Sequence, residues 1–291
     1  MASIATSGVG ARSRKFALFP FVRRHRVAVL GGALLATMVL AALLAPWLGT
    51  VDPQALAPTR RLRPPSQAFW FGSDMLGRDV YSRALYGIRI SLIVGASVGL
   101  LSIFIGLVIG LLAGYIRVLD AIVMRVMDGM MAIPPVLLAI ALMTLTRPSV
   151  TNVVIAITVA EIPRVVRLVR SVVLSLREQP FVEAAVASGT GLFRTIIVHI
   201  LPNTRAALMV QGTYIFASAM IVEAILSFIG AGTPPNIPSL GNILAEGRSL
   251  FQVAFHIILF PGLFLSVAVL AVNLLGDGLR DALDPRLARQ M

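Results

Sequence analysis

The chain has 291 residues, of which 57% are hydrophobic and only 13% charged, and its mean hydropathy is +0.89. Soluble domains contain about 25% charged residues, so this composition excludes an ordinary soluble protein. Several uncharged runs reach the roughly 20 residues that a bilayer span requires. The composition therefore predicts an all-α polytopic membrane protein.

The net charge of +12 would suggest nucleic-acid binding in a soluble chain. Membrane proteins, however, concentrate Lys and Arg in their cytoplasmic loops, and no zinc-ligand spacing or helix-turn-helix pattern is present. The absence of cysteine excludes disulfides, thiolate catalysis and iron–sulfur ligation. The sequence also lacks a Walker A segment, a His-Glu-x-x-His and a Gly-x-Ser-x-Gly. We therefore expect no catalytic, metal or cofactor-binding site in this chain.

The apolar runs predict six membrane spans. Residues 1–26 form a basic N-terminal arm. The run 27–48 is too long for the 7–15-residue core of a signal peptide, which is the competing interpretation. Residues 49–88 form a proline-rich connection. The other spans are predicted at 90–116, 129–146, 148–169, 206–229 and 249–276. Glu161, Pro163 and Arg164 are expected to break or end the fourth span.

The distribution of basic residues predicts the orientation. With the N-terminus inside, 17 of the 25 Lys and Arg residues lie on the cytoplasmic side and 8 outside. Both termini are therefore predicted to be cytoplasmic, including a tail at 277–291. The basic connection 170–205 then faces the cytoplasm, while 49–88 and 231–248 face outward. No repeat of fixed period is found, which argues against an internally duplicated carrier.

The cytoplasmic connection contains a short predicted helix. Pro180 suits its first turn, Glu183 favours its N-terminal end, and Gly189 suits its end. Ala184 and Ala185 would leave a shallow surface that another protein can approach closely. From the residues alone, two interpretations are open: an amphipathic loop on the membrane surface, or a docking helix for a soluble partner.

The spacing of this segment resembles the EAA motif of permease subunits of bacterial ATP-binding-cassette (ABC) importers. The motif consists of Glu-Ala-Ala, three residues, Gly, and then nine residues before an Ile-x-Leu-Pro ending; His199 replaces the usual isoleucine here. In that family the segment is a coupling helix seated in a cleft of the cytoplasmic ATPase. The resemblance implies an ATPase-coupling role for Glu183, Ala184, Ala185, Gly189, Leu201 and Pro202 within segment 177–205.

Three further stretches, 71–92, 125–134 and 223–242, resemble the "C" type of dipeptide, oligopeptide and nickel permeases. Leu240 departs from them, because tryptophan is common there. The resemblance implies a type I ABC importer permease fold with six transmembrane helices and a core at 89–276. It also implies a multi-pass location in the bacterial inner membrane. The implied function is that of the permease subunit of an ATP-driven, binding-protein-dependent importer of di- and oligopeptides.

The resemblance also implies partners. These are a homologous permease, two ATPase subunits or domains that bind ATP and Mg²⁺, and a periplasmic or lipid-anchored substrate-binding protein. Nickel, glutathione or opines are alternative substrates. A more remote alternative is an ion-coupled secondary carrier using Glu223 and Glu161. An intramembrane enzyme would need a paired nucleophile and base, and no such pair is visible.

Several ionisable residues have two open interpretations. Glu223 could be a gating or pathway carboxylate, or it could cap a helix or form a salt bridge with the partner permease. Asp74, Arg78 and Asp79 could lock the outer loop by local ion pairs or contact the binding protein.

Other positions are predicted to be structural. Glu161 is expected to pair with a nearby arginine, and His256 to be a hydrogen-bonded helix residue. Three arginines at three-residue spacing should share one face at the cytoplasmic headgroups, with lipid or ATPase contact as the alternative. These are Arg164, Arg167 and Arg170. Three glycines of the second span, Gly106, Gly110 and Gly114, predict a helix-packing surface.

Overall fold

A computed structural model describes residues 26–283, in which we number nine helices. They are α1 (Arg26–Leu43), α2 (Val80–Tyr115), α3 (Arg117–Met131), α4 (Pro135–Thr144), α5 (Val150–Arg177), α6 (Pro180–Ala187), α7 (Leu192–Phe228), α8 (Leu240–Gly247) and α9 (His256–Leu283). The described part contains one isolated β-bridge, between Ser73 and Asp79. The predicted all-α class is therefore confirmed for these residues. The N-terminal arm up to residue 25 and the end of the tail, 284–291, lie outside them.

Four of the described helices are long and apolar enough to cross a membrane, namely α1, α2, α7 and α9. Helices α3 and α4 meet that criterion only as a pair, and they are bent by 88° relative to each other. Helix α5 has 28 residues, but Glu161 and four arginines lower its hydropathy. The structure therefore shows four or five apolar helices of spanning length.

The predicted third span, 129–146, is not one helix. Helix α3 ends at Met131 and α4 begins at Pro135. Two consecutive prolines, Pro134 and Pro135, explain the break. Each lacks a backbone N–H, and each disfavours a helical conformation in the residue before it.

Helix α5 continues through Glu161 and Pro163 to Arg177, so these residues do not break the helix as expected. The carboxylate of Glu161 lies 3.1 Å from Nη1 of Arg164 and accepts a hydrogen bond from Ser218 at 3.3 Å. Both contacts compensate its buried charge. Proline is tolerated in such helices when neighbouring helices and polar side chains satisfy the freed backbone groups.

Other helices differ from the predicted spans in their ends. Helix α2 begins at Val80 and α7 at Leu192, both ahead of their apolar runs, whereas α9 begins at His256. A helix of 36 residues is about 54 Å long, against a hydrocarbon thickness of about 30 Å. The apolar run marks only the part of the helix that fits the membrane, so its length underestimates the length of the helix.

The glycine stripe of α2 packs against α5, as predicted. A Cβ atom at Gly106 would lie 2.5 Å from Cβ of Val165, and one at Gly114 would lie 2.7 Å from Cβ of Val173. One apolar core joins α2, α4, α5 and α7. A second core joins α1, α2, α7 and α9, and a third lies under the connection before α2.

Candidate functional sites

Helix α6 is the predicted coupling helix, and it is largely exposed. Pro180 occupies its first turn, where the missing N–H needs no partner, and Glu183 also lies in the first turn. Val182 is its one buried side chain, and α6 contacts α5 and residues 195–200 of α7. Phe181, Glu183 and Ala184 are exposed. The helix is therefore anchored at one point and presents most of its surface outward.

Helix α6 ends just before Gly189, as predicted. Gly189 has φ +81°, a conformation that glycine adopts without a steric penalty. Its N–H donates to the carbonyl of Val186 at 2.9 Å, and the N–H of Thr190 donates to that of Ala185 at 3.0 Å. This pair of bonds is the Schellman arrangement, which turns the chain sharply after a helix.

Leu201 and Pro202 lie apart from α6, in α7. Residues Thr195–Ile200 form a π-helical turn, and the N–H of Leu201 donates to the carbonyl of Ile196. Pro202 has no N–H and interrupts the regular ladder. The side-chain amide of Asn203 donates to the carbonyl of His199 at 2.7 Å. The structure thus places Glu183, Ala184, Ala185 and Gly189 in or just after one short exposed helix, and Leu201 and Pro202 beyond a π-turn.

The arginines of α5 form ion pairs within the chain. Nη2 of Arg167 lies 2.6 Å from the carboxylate of Asp128, and Arg170 makes two hydrogen bonds to Asp120. The guanidinium of Arg164 lies over the ring of Tyr214, 4.9 Å from its centroid. The sequence predicted a shared arginine face but not the α3 carboxylates. These contacts tie α3 to α5 on the side that carries α6.

The outer connection contains a network of four charged side chains. Asp74 accepts hydrogen bonds from Nε of Arg78, at 2.6 Å, and from Arg83. Glu246 of α8 accepts from Arg78 at 2.6 Å and from two nitrogens of Arg83 at 2.6 and 3.0 Å. Asp74 and Arg83 are each 1% exposed, and Glu246 is 30% exposed. The predicted pairing of Asp74 with Arg78 is present, whereas the contacts of Arg83 and Glu246 are not indicated by the sequence.

Asp79 has a different role from the one predicted. Its carboxylate accepts hydrogen bonds from the backbone N–H of Ser82, at 2.8 Å, and from the hydroxyl of Ser82. It is therefore the N-cap of α2 rather than a member of the ion-pair network. The sequence signal for this was available, because Asp immediately before a helical run is a preferred N-cap.

Glu223 is 0% exposed within its own chain. Its carboxylate accepts hydrogen bonds from the hydroxyls of Ser91 at 3.1 Å, Ser227 at 2.8 Å and Thr233 at 3.1 Å. These hydroxyls come from α2, α7 and the loop after α7. A salt bridge to a partner permease has no open surface on which to form, so that interpretation is not supported. Glu223 instead joins three elements through hydrogen bonds.

His256 begins α9, and its Nε2 lies 3.3 Å from the backbone carbonyl of Ser73. Among residues 26–283, no group of three or more acidic or histidine side chains is arranged to hold a metal ion. The contact of His256 links the start of α9 to the outer connection, and it agrees with the prediction of a hydrogen-bonded helix residue.

Two family descriptions match this sequence. Residues 102–289 match the family described as binding-protein-dependent transport system inner membrane component. Residues 22–65 match the N-terminal TM domain of oligopeptide transport permease C. The first match covers α6, Glu223 and the charged part of α5, and the second covers α1.

Curated relatives align along most of this chain. A protein of Sinorhizobium fredii named probable peptide ABC transporter permease protein is 53% identical and is covered over 92% of both chains. The dipeptide transport system permease protein DppC of Alkalihalophilus pseudofirmus is 40% identical, over 92% of this chain and 89% of that protein. The glutathione transport system permease protein GsiD of Salmonella paratyphi A is 42% identical, over 91% and 88%.

Family membership agrees with the apolar helices and the exposed α6. The matched region includes more than half of the chain, and the relatives align over nearly their full length. The chain therefore belongs to the family of binding-protein-dependent transport system inner membrane components, as a multi-pass inner-membrane permease of the oligopeptide C type.

Proposed function

We propose that this chain is the permease subunit of an ATP-driven importer of di- and oligopeptides, coupled to its ATPases through α6. The observation that carries the coupling role is the exposure of Glu183 and Ala184 on a helix held by one buried residue, Val182. Such a helix can enter a cleft in another protein while Val182 stays buried in its own chain. The peptide substrate is supported by the names of relatives that are 40% and 53% identical.

The proposed topology has six spans and cytoplasmic termini. The bent pair α3–α4 counts as the third span and α5 as the fourth, in addition to the four long apolar helices. The buried carboxylate of Glu161 is paired with Arg164, which lowers the free-energy cost of placing it at membrane depth. The excess of basic residues in the connections that would lie inside supports this orientation.

Membership of this family implies ATPase and substrate-binding partners. We propose that the assembly contains one homologous permease, two ATPase subunits or domains that bind ATP and Mg²⁺, and a periplasmic or lipid-anchored binding protein. Hydrolysis takes place in the ATPases, and this chain contributes no reacting group. Its role is to convert their motion into a change in membrane access.

In the proposed mechanism, closure of the ATPases moves α6 as a lever. Helix α6 is joined to α5 through residues 178–179, and the Schellman turn leads from it into α7, which contains the π-turn. Ion pairs of Arg167 and Arg170 with α3 carry the motion of α5 to a further helix. The bundle then rocks and exposes a cavity shared by the two permeases alternately to each side.

Two other substrate assignments have different support. The glutathione permease, at 42% identity, keeps glutathione as a candidate, whereas nickel and opines have no specific observation in their favour. An ion-coupled carrier would use Glu223 as a coupling site. The three hydroxyls bound to this carboxylate leave it enclosed, which disfavours that alternative.

ATP-dependent uptake in proteoliposomes tests the proposal. The intact complex is reconstituted with its binding protein and a labelled dipeptide, and wild type is compared with Glu183→Arg. A docking loss of about 1.4 kcal/mol would weaken ATPase engagement about tenfold, so we expect uptake to fall by about that factor. Asp281→Arg, at an exposed acidic residue near the end of α9 and outside the coupling segment, is the matched control. Uptake without ATP, or wild-type uptake by Glu183→Arg, would contradict the proposal.

A further inference from the structure

The connection between α1 and α2 forms a cavity that is partly open to solvent. Its volume is about 920 Å³, within the range of about 300–1,000 Å³ that is typical of small-molecule sites. The cavity lies between residues 49–57 and residues 60–70, and Gly77, Asp79 and Tyr81 also line it.

This connection is held in place by specific contacts. The N–H of Ser73 donates to the carbonyl of Arg63 at 2.9 Å, and the N–H of Arg63 donates to the hydroxyl of Ser73 at 2.8 Å. The ring of Phe71 stacks on that of Phe260 with centroids 4.0 Å apart. Leu62 has φ +53°, which is uncommon outside glycine, and its N–H donates to the carbonyl of Asp74. The cavity is therefore a built feature of the fold.

The cavity lining combines guanidinium groups with aromatic rings. Arg60 and Arg63 line it together with Phe69, Trp70 and Tyr81. The guanidinium of Arg60 lies 5.9 Å from the centroid of Phe69, which leaves its edge N–H groups available to an anion. Such a planar donor set matches phosphate oxygens in geometry.

These arginines have no carboxylate partner in the part of the chain that the structure describes. No ion pair within residues 26–283 includes Arg60, Arg61 or Arg63. The one carboxylate that lines the cavity is Asp79, and it accepts both hydrogen bonds from Ser82. The cavity is thus electropositive, with charge left uncompensated by the chain itself.

One rim of the cavity continues into an apolar surface. Leu43, Leu44, Trp47 and Val51 are exposed at the end of α1 and just beyond it, and Val51 also lines the cavity. Trp47 is 78% exposed and Trp70 is 60% exposed, and they are both tryptophans of the chain. Tryptophan concentrates at the interface between lipid and water. The exposed tryptophans therefore favour a position of the cavity near the lipid headgroups, next to a surface suited to acyl chains.

We propose that this cavity binds the phosphodiester headgroup of an anionic phospholipid, with its acyl chains along Leu43, Leu44 and Trp47. Arg60 and Arg63 donate to the phosphate, and the aromatic rings cover the glycerol portion. This site is independent of the transported substrate and of ATPase coupling. It would hold the connection, and hence α2 through Asp79 and Tyr81, at a fixed depth in the outer leaflet.

The test measures lipid retention by the intact complex in nanodiscs containing phosphatidylcholine with or without phosphatidylglycerol. We expect wild type to retain phosphatidylglycerol in preference to phosphatidylcholine, as detected by native mass spectrometry, and to unfold at a higher temperature with it. Arg60→Gln combined with Arg63→Gln should reduce this retention by about tenfold or more, because it removes both charged donors to the phosphate. Arg61→Gln is the matched control, since Arg61 does not line the cavity; it should behave as wild type.

A further experiment distinguishes a lipid headgroup from a free phosphate ester, since both offer the same phosphate oxygens to the arginines. Glycerol phosphate added to phosphatidylcholine nanodiscs should not reproduce the thermal shift, because it lacks the acyl chains. Equal retention of both lipids by wild type would overturn the proposal. This comparison uses wild type alone, so it does not depend on the folding of any variant. Full stabilisation by glycerol phosphate, or undiminished retention by the double variant, would also overturn it.

Discussion

Glu246 accepts hydrogen bonds from both terminal nitrogens of Arg83, at 2.6 and 3.0 Å, although 163 residues separate the two along the chain. Arg83 is 1% exposed and also binds Asp74. These contacts fix α8 to the outer end of α2. Through Asp74, the same cluster also joins α8 to the connection before α2.

Replacing Arg83 by Gln should destabilise the protein by about 3–5 kcal/mol, because it leaves the buried carboxylate of Asp74 with fewer compensating donors. Glu246→Gln should cost only about 1 kcal/mol, since its amide oxygen still accepts from arginine. Thermal unfolding of the purified complex measures both. Arg89→Gln, at an exposed arginine of the same helix, is the control. Equal unfolding temperatures for Arg83→Gln and Arg89→Gln would contradict the role of the cluster.

Gly110 should not tolerate a side chain. A Cβ at this position would lie 2.7 Å from Cβ of Val169 and 2.9 Å from the carbonyl oxygen of Val166. Gly110→Ala should therefore cost about 1–3 kcal/mol through overpacking of α2 on α5.

Gly129→Ala in α3 is the matched control for that substitution. No atom lies within 4 Å of a Cβ built there, and alanine is favoured over glycine in a helix by about 0.5–1 kcal/mol. Denaturation of the two variants in one detergent compares them. The packing account fails if Gly110→Ala is as stable as Gly129→Ala.

Glu223 offers a substitution that separates its two interpretations. Glu223→Gln keeps an oxygen that can accept from the surrounding hydroxyls, so a structural role predicts near-normal stability and uptake. Glu223→Ala leaves buried hydroxyls of Ser91 and Thr233 without their acceptor and should cost about 1–3 kcal/mol. A gating or pathway role instead predicts that Glu223→Gln folds normally but loses uptake. Thermal unfolding and uptake, measured on the same preparations, distinguish these results.

The proposed orientation predicts which single cysteines are accessible from outside. The chain has no cysteine of its own, so one introduced thiol gives an unambiguous signal. Met75→Cys, at an exposed residue of the outer connection, should react with a membrane-impermeant maleimide in intact cells. Ala184→Cys should react only after the membrane is opened. The reverse pattern would show that the assignment from basic residues is wrong.

Local sequence signals predicted the local structures well. Gly106, Gly110 and Gly114 predicted the packing of α2 because a four-residue spacing places small residues on one helix face. Pro180 and Gly189 predicted the ends of α6 for equally local reasons, since one lacks an N–H and the other accepts a positive φ. The arginine count predicted an orientation, which remains a prediction.

The features that could not be predicted from the sequence depend on contacts between residues that are far apart along the chain. Nothing near Arg83 in the chain indicates Glu246, and nothing near Arg170 indicates Asp120, because these pairs form only when separate helices pack. The same cause explains the error at Glu161 and Pro163. A helix interruption was expected from the local pattern, but Arg164 and Ser218 bind the buried carboxylate of Glu161 and the helix continues to Arg177. Two adjacent prolines near 134 were visible, but their 88° bend depends on how α3 and α4 pack.

Cross-linking of α6 to the ATPase tests the central claim most directly. Ala184→Cys is placed on the exposed face of α6, and the complete complex is treated with a short thiol-to-amine cross-linker. The account predicts a covalent adduct between this chain and the ATPase subunit, with a yield that changes when ATP is bound. Met75→Cys in the same complex should give no such adduct. If Ala184→Cys also gives none, while the complex remains assembled and active in uptake, then α6 does not dock to the ATPase and the account is contradicted.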